Sequence, residues 1–398
     1  MSSSGEQASQ SVQEPRFLDL ELSEEEILFQ DTARQFARDY LAPAAAALDR
    51  DEEFPSEHWK RLAELGFLSF LVPPEYGGSG LGNRALSLVL EEVNRACAST
   101  GVSLSVHNSL VNGAVVRFGT EEQKAKYLPR TSRGELIGAY ALTEPDHGSD
   151  VGAIETRAER RGDRYVLNGV KSWITNGISA GLVVVFATLD RSLGAKGITA
   201  FLVETAWSGF SVGKKEKKLG IRGSETAQLR FDDLEVPVEN RLGDEGQGFS
   251  VAMDTLDGGR IGIASQAAGL VAASLDASIR YARDRKQFGR PIAEFQPIRR
   301  KIADMAVDLD SSRLLVRRAA GLRDAGRPHT REASVAKLFS SEAAARATRE
   351  AVQIHGGAGY CKEFPVERFY RDAKVTEIYE GTSEIQRLVI SRKLLEDA

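Results

Sequence analysis

The feature that most constrains the fold is a sequence pattern that changes twice along the 398 residues. From Ser23 to about Leu136 the pattern is helical, and from Tyr140 onward short runs of β-branched and aromatic residues alternate with glycines. After Gly248 the helical pattern returns. A single core rarely grows past roughly 250 residues, so a chain of this length is expected to hold two or three domains. The order helix, strand, helix predicts an α+β multidomain protein.

Capping boxes mark helix starts in the first stretch. Ser23 lies three residues before Glu26, and Thr120 lies three residues before Gln123. At this spacing the two side chains satisfy each other's orphan backbone donors at a helix N-terminus. Because proline disrupts a helix interior, the first helix is predicted to end at Pro43.

The middle stretch predicts a mostly antiparallel β-domain, because its strands are not separated by long helices. Asn168-Gly169 follows Tyr165–Leu167 and precedes Val170. Asn-Gly between apolar residues is a strong hairpin signal, so a turn is predicted there.

The last stretch predicts a four-helix bundle. Apolar residues recur every three or four positions in Ile261–Ile279 and in Ile298–Leu309. Gly326-Arg327-Pro328 then breaks the pattern, and two further helices are predicted at Ala333–Ile354 and Thr382–Leu395. Long amphipathic helices bury their apolar faces against one another, which a bundle achieves.

These patterns divide the chain into four predicted parts. Residues 1–16 are expected to form a mobile tail, 17–138 an N-terminal all-α domain, 139–248 a central β-domain and 249–398 the four-helix-bundle domain. No apolar run approaches the roughly 20 residues of a membrane helix, so no membrane insertion is expected.

Composition narrows the partners and the compartment. A formal net charge of −5 gives no general attraction for nucleic acid, which is therefore not an expected partner. The two cysteines, Cys97 and Cys361, make a disulfide framework unexpected and indicate a reducing compartment, so a cytoplasmic location is predicted.

Common catalytic motifs do not occur. The sequence contains no G-x-G-x-x-G fingerprint, no phosphate-binding P-loop and no G-x-S-x-G nucleophile elbow. Gly77–Gly82 fits none of these patterns and is predicted to be a flexible loop. The five histidines are scattered without a ligand spacing, so no metal site is expected.

Four segments carry a family resemblance: YALTEPDHGSD (140–150), WITNG (173–177), RKQFG (285–289) and IYEGTSEIQ (378–386). They resemble the signature segments of acyl-CoA dehydrogenases, and most closely the short-chain and branched-short-chain members. The resemblance extends from Leu22 to Leu395. It implies the same fold that the patterns predict, with FAD between the β-domain and the C-terminal helices.

The resemblance also assigns residues to the cofactor. Arg285 taken alone is an ordinary solvated charge and Trp173 an ordinary core aromatic, and only the family context reverses those interpretations. Arg285, Phe288, Gln353 and Gly357 match positions that reach FAD from a neighbouring subunit, which implies a homotetramer. The residues expected around FAD within one chain are Tyr140, Leu142, Thr143, Ser149, Trp173, Thr175, Thr382 and Glu384.

Glu380 is the implied catalytic base, and burial beside an acyl chain is expected to raise its pKa. Some family branches carry the base just before the arginine matched by Arg260, but here that residue is Gly259. A surface pair is the alternative for Asp257 and Arg260. The substrate contacts implied by the resemblance are Ser149, Asp257, Arg260, Tyr379 and Gly381.

The function implied is FAD-dependent α,β-dehydrogenation of an acyl-CoA thioester, with short-chain substrates first, to the trans-2-enoyl-CoA. Electron-transfer flavoprotein is the implied electron acceptor. Two alternatives stay open: an acyl-CoA oxidase or related flavin oxidase that passes electrons to oxygen, and a flavin-binding DNA-associated protein of the damage-response branch.

Overall fold

The computed structural model describes residues 22–396. The predicted tail, residues 1–16, and the first five residues of the predicted N-terminal domain lie outside the described residues. Within the described range, none of the helices combines the length and the apolar character needed to cross a membrane.

The N-terminal part is all-helical and closes around the aromatic side chains of Trp59, Phe67 and Phe70. Both capping boxes are present, because Ser23 and Thr120 each exchange hydrogen bonds with the residue three positions on. The helices are α1 (Glu24–Phe36), α2 (Ala42–Asp51), α3 (Ser56–Glu64), α4 (Gly82–Ala96), α5 (Ala98–Ser105), α6 (Gly113–Phe118) and α7 (Glu121–Ser132).

The prediction that the first helix ends at Pro43 is wrong. After α1 the chain continues through a π-helical turn, Ala37–Leu41, directly into α2. Pro43 lies in the first turn of α2, directly after this π-helical turn, so the chain stays helical through the proline.

The central part is one twisted sheet in the order β6-β7-β3-β2-β4-β5-β8, with β1 pairing in parallel with β4. Nearly all other pairings are antiparallel, which confirms the predicted β-domain. The strands are β1 (Gly138–Ala141), β2 (Arg157–Arg161), β3 (Arg164–Thr175), β4 (Leu182–Thr188), β5 (Ile198–Glu204), β6 (Phe210–Lys215), β7 (Thr226–Pro237) and β8 (Arg241–Leu242).

The predicted turn at Asn168-Gly169 is wrong, because β3 runs through both residues and the hairpin lies earlier, between β2 and β3. The pair instead lies opposite a bulge in β7, where Asp232 and Asp233 face the single residue Asn168 and the register between the two strands shifts. Asn168 exchanges side-chain hydrogen bonds with Asp233 at 3.0 and 2.9 Å. A Cβ at Gly169 would lie 2.5 Å from the Thr156 hydroxyl, so close strand approach requires this glycine.

The C-terminal part is the expected helical bundle, with an additional short helix, α11. The central helix α8 packs against α9 and α10, and also against α4 of the N-terminal part. A break at Gly326–Pro328 separates α9 from α10, as predicted. The elements are α8 (Gly248–Asp284), β9 (Lys286–Gln287), β10 (Arg290–Pro291), α9 (Gln296–Asp324), α10 (Thr330–His355), α11 (Val366–Ala373) and α12 (Ser383–Glu396).

The three parts are tied together at Arg371 of α11. Its guanidinium donates to both carboxylate oxygens of Asp49 in α2, at 2.9 and 2.7 Å, and to the Leu219 carbonyl at 3.1 Å. The neighbouring Asp372 is buried and accepts the backbone N–H of Ile221. These contacts hold the turn before α12 against the other two parts.

Candidate active site

A cleft of about 700 Å³ lies where the three parts of the chain meet. Residues of β1, the end of β3, α5, the start of α8 and the turn between α11 and α12 line it. The lining has a polar part, which includes Thr143, Glu144, Asp146, Ser149 and Asp150, and an apolar part. The apolar wall consists of Val102, Val106, Leu110, Phe249, Met253 and Leu256.

Glu380 reaches this cleft from a turn with a left-handed backbone. Its φ is 51°, and that of Gly381 is 89°, a conformation that a non-glycine residue adopts at a cost. The carboxylate lies against α8 at Gly259, because a Cβ at that glycine would be 1.8 Å from Glu380 Oε2. Glycine is therefore needed opposite the carboxylate.

The Glu380 carboxylate is buried and incompletely partnered. Among residues 22–396, Oε2 has no hydrogen-bond donor. Burial raises the pKa of Glu380 to about 7, and the positive charges of Lys337 and Arg260 oppose that rise. Near neutral pH the carboxylate can therefore both accept and release a proton.

The backbone N–H of Glu380 is also free of an acceptor within the described residues. The two carbonyls that follow are not free: Gln386 Nε2 donates to the Glu380 and Gly381 carbonyls at 3.1 and 2.9 Å. The turn thus combines an unpaired backbone N–H with the carboxylate of a residue that lines the cleft.

Trp173 also lines the cleft, at a bulge of β3. The register against β7 shifts between Lys171 and Ile174, and Trp173 itself has a φ of 62°. The residue is 59% exposed, which excludes the alternative of ordinary core packing. A flat aromatic surface beside the hydroxyls of Thr143 and Thr175 fits a flavin ring, which needs an apolar wall and hydrogen-bonding groups.

Comparison with known proteins agrees with this geometry along the whole chain. Family models for the acyl-CoA dehydrogenase N-terminal, middle and C-terminal domains match residues 23–135, 139–234 and 246–395. The chain belongs to the acyl-CoA dehydrogenase family. As a member of it, the protein is an oxidoreductase that acts on acyl-CoA with FAD as its cofactor.

Individual relatives of this acyl-CoA dehydrogenase cover nearly its full length. The short-chain specific acyl-CoA dehydrogenase of Mus musculus mitochondria is 53% identical over 376 residues, 94% of this chain and 91% of that protein. Butyryl-CoA dehydrogenase from Megasphaera elsdenii is 43% identical with a TM-score of 0.93, over 95% of this chain and 100% of that one. A chain in a structure of the electron transferring flavoprotein of Acidaminococcus fermentans is 45% identical with a TM-score of 0.94, over 95% of this chain and 100% of that one.

Most of the residues predicted for the acyl-CoA dehydrogenase site line this one cleft, although they come from four separate segments of the sequence. Those that line it are Tyr140, Leu142, Thr143, Ser149, Trp173, Thr175, Arg260, Tyr379, Glu380, Gly381 and Thr382. Those that do not are Asp257, Arg285, Phe288, Gln353, Gly357 and Glu384.

Asp257 and Arg260 form a pair, but a buried one rather than the surface pair considered from the sequence. Arg260 Nη1 donates to Asp257 at 2.6 Å, and the Thr330 hydroxyl donates to the other carboxylate oxygen at 2.5 Å. Arg260 Nε faces no acceptor among the described residues. Asp257 therefore orients Arg260, and Arg260 borders the cleft.

The four residues predicted to serve a neighbouring subunit lie elsewhere on the chain. Phe288 is 92% exposed at a φ of 51°, in the hairpin of β9 and β10 that follows Arg285. Gln353 lies in the last turn of α10, and Gly357 lies in the 3-10 helix that follows it, Gly356–Tyr360. Their role in a second subunit's cofactor site stays a prediction.

Sequence reasoning missed the apolar wall and two buried lysines. Val102, Val106 and Leu110 recur every four residues, which predicts a common helix face but not that the face borders a cleft. Lys171 and Lys337 are both fully buried. A lysine among apolar neighbours was the available signal for each, because this residue is almost never buried without a partner.

Proposed function

We propose that this acyl-CoA dehydrogenase oxidises short-chain acyl-CoA thioesters to trans-2-enoyl-CoA, with Glu380 as the base that removes the α-proton. The observation that carries the proposal is the buried Oε2 of Glu380, which lacks a donor within the described chain and borders the same cleft as the exposed Trp173.

The turn at Glu380 supplies two of the groups that the reaction needs. Its carboxylate takes the proton from the α-carbon, and its unpaired backbone N–H donates to the thioester carbonyl as negative charge develops there. FAD, when bound, supplies the acceptor for the hydride that leaves the β-carbon. Tyr379 stays fixed because its hydroxyl donates to Gln266 of α8.

FAD is proposed to bind against the polar part of the cleft lining. Trp173 would cover the ring, while Thr143, Thr175 and Ser149 would supply hydrogen bonds. Tyr140, Leu142 and Thr382 complete the contacts within one chain, and Glu384 at the start of α12 is assigned to the same cofactor. Arg285, Phe288, Gln353 and Gly357 would come from a second copy, and the active form is proposed to be the homotetramer that the family resemblance implies.

The acyl chain is proposed to bind against the apolar wall, at Leu110, Met253 and Leu256. Arg260, oriented by Asp257, and the Ser149, Tyr379 and Gly381 segments would contact the thioester end. Preference for short chains is supported by the short-chain relative and by the butyryl-CoA dehydrogenase described above.

Electron-transfer flavoprotein is the proposed electron acceptor, supported by the similar chain in the Acidaminococcus fermentans flavoprotein structure. A cytoplasmic location is proposed with it.

The proposal is tested by adding butyryl-CoA, octanoyl-CoA and palmitoyl-CoA anaerobically to FAD-loaded protein while the absorbance of oxidised FAD is followed. Butyryl-CoA should bleach the flavin most rapidly, because each mismatched methylene in an apolar pocket is worth about 1–3 kcal/mol. Preferential bleaching by palmitoyl-CoA would contradict the short-chain assignment. Rapid hydrogen peroxide formation in air without an added acceptor would identify an oxidase instead.

A further inference from the structure

Lys337 is a fully buried lysine of α10 that the proposed chemistry has not used. Its ammonium group donates a hydrogen bond of 2.7 Å to the carbonyl oxygen of Gly381, the residue after Glu380. Placing a charged amine away from water costs several kcal/mol unless polar groups compensate. A carbonyl gives only part of that compensation, so the charge must interact with something else.

The Gly381 carbonyl is held from two sides. Gln386 Nε2, fully buried on α12, donates to it and to the Glu380 carbonyl. A Cβ at Gly381 would lie 2.5 Å from that amide nitrogen, so the contact needs glycine. Lys337 and Gln386 together fix both peptide groups of a turn whose two residues have a positive φ.

Within the part of the chain that the structure describes, the charged groups with the largest influence on Lys337 come from four of the elements around it. Glu380 comes from the turn, Arg260 from α8, Glu377 from the residues before the turn and Glu384 from α12. Burial lowers the pKa of Lys337 to about 8, and Glu380 is the strongest influence opposing that fall. In return, Lys337 is the strongest influence holding down the pKa of Glu380.

We propose that Lys337 is a positioning residue for the base: its ammonium fixes the turn through the Gly381 carbonyl and supplies the positive charge that favours the ionised Glu380 carboxylate. The inference rests on the proposed function, in which Glu380 removes the α-proton. Gln386 shares the first task, because it holds the same carbonyl, but carries no charge for the second.

The test compares the FAD-loaded parent protein with Lys337→Met, which keeps the length and removes the charge. Lys374→Met is the matched control, because Lys374 is mostly exposed and pairs with Glu377 at 2.7 Å. Turnover of butyryl-CoA with an artificial electron acceptor is measured from pH 5.5 to 9.5. The carboxylic acid band of Glu380 is followed over the same range by infrared difference spectroscopy, with Glu380→Gln as the blank.

For Lys337→Met we expect the pH at half-maximal kcat to rise by about one unit or more, since a nearby opposite charge shifts a carboxyl pKa by roughly 1–3 units. At pH 7 a one-unit rise from about 7 lowers the ionised fraction of Glu380, and with it kcat, about fivefold, and higher pH restores part of the loss. The infrared midpoint should move by the same amount. Lys374→Met should leave both midpoints within about 0.3 unit, as expected for a solvent-screened charge.

A Lys337→Met protein whose kcat falls equally at every pH, with an unmoved infrared midpoint, would show that Lys337 only packs, and the inference would be overturned. Should this variant fail to bind FAD, Lys337→Gln, which keeps a polar donor without the charge, takes its place with the same two outcomes. The infrared midpoint needs no turnover, so it judges Lys337 even if the parent protein oxidises no acyl-CoA, a result that would count against the proposed function alone.

Discussion

The β-domain and the helical bundle each contain a buried lysine near a glutamate, but the pKa of the glutamate is lowered in the first and raised in the second. Lys171 donates to Glu144 at 2.7 Å, and that carboxylate also accepts the backbone N–H groups of Glu155 and Thr156 at 2.5 and 2.9 Å. These partners overcome burial and lower the pKa of Glu144.

Glu380 in the bundle has no such set of donors within residues 22–396. Its lysine, Lys337, bonds a carbonyl instead, and burial raises the pKa of the carboxyl group to about 7. Both lysines have a pKa lowered to about 8, so the charge nearby is not what separates the two sites. The two sites differ in direct hydrogen bonds. The Glu144 carboxylate has three donors and is structural, whereas Glu380 Oε2 has none within the described residues and is available to a substrate.

The largest expected effect that sharpens this contrast comes from Glu380→Gln. Loss of a general base lowers turnover by about 10²–10⁴-fold, so we expect about 10³-fold lower kcat with FAD still bound. Steady-state kinetics and the FAD absorbance of the purified variant measure both. Glu377→Gln, in the preceding turn, is the control and should stay within about twofold of the parent. Parental turnover in Glu380→Gln would remove Glu380 from the mechanism.

Lys171→Met is expected to act on stability rather than on proton abstraction. Removing one partner of a buried ion pair costs about 3–5 kcal/mol, because the remaining charge stays buried. Denaturant unfolding should show this loss, and the double variant Lys171→Met/Glu144→Gln should recover part of it. Lys60→Met, at an exposed pair with Glu57, should cost less than about 0.5 kcal/mol.

The pH at half-maximal kcat for any remaining Lys171→Met activity should stay where the parent has it. A shift of that midpoint as large as the one expected for Lys337→Met would mean that the two lysines act alike, and the contrast between the two sites would be lost.

Gly259→Ala tests whether the carboxylate needs the space opposite it. A methyl group there would overlap Glu380 Oε2, whereas at Gly258 the nearest atom, Arg323 Cζ, is 3.1 Å away. Displacing a catalytic group by about 1 Å can cost 10²-fold, so we expect about a 100-fold loss of kcat/KM for Gly259→Ala. Gly258→Ala should retain most activity. Equal kcat/KM values for the two variants would show that the Glu380 carboxylate can shift away from a methyl group at position 259 without losing its function.

The smallest expected effect is a gain in the free energy of unfolding when Glu380 is replaced by glutamine. The folded-state pKa of Glu380, about 7, lies above its ordinary value of 4.5, so between these pH values the native state binds more protons than the unfolded state. The contribution of this group to the free energy of unfolding therefore falls as pH rises from about 4.5 to 7.

Glu380→Gln removes that penalty. At pH 8.5, where Lys337 is largely neutral, the inactive variant should be more stable than the parent by roughly 1–3 kcal/mol. The difference should shrink as the pH is lowered toward 5. Thermal or denaturant unfolding of the FAD-loaded proteins at both pH values provides the measurement, and an unchanged difference across the range would contradict a raised pKa.

The order of the domains, both capping boxes and the bundle helices could be predicted from sequence, because helix caps and hydrophobic periodicity act over a few residues. Local signals were misleading where a neighbouring element decided the conformation. Pro43 looked like a helix end and Asn168-Gly169 like a turn, but the helix continues through Pro43 after a π-helical turn, and Asn168-Gly169 stays in β3 opposite a bulge in β7.

What the sequence determined by itself was the family, the three-part order and the identity of the residues in its signature segments. Only the tertiary structure brings Gly259 of α8 and Lys337 of α10 to the turn that carries Glu380. Gly259 leaves space for its carboxylate, and the charge of Lys337 acts on it. The physical reason is that a pKa depends on desolvation and on charges brought close by folding, and neither distance in space nor burial is encoded in the spacing of residues along a chain.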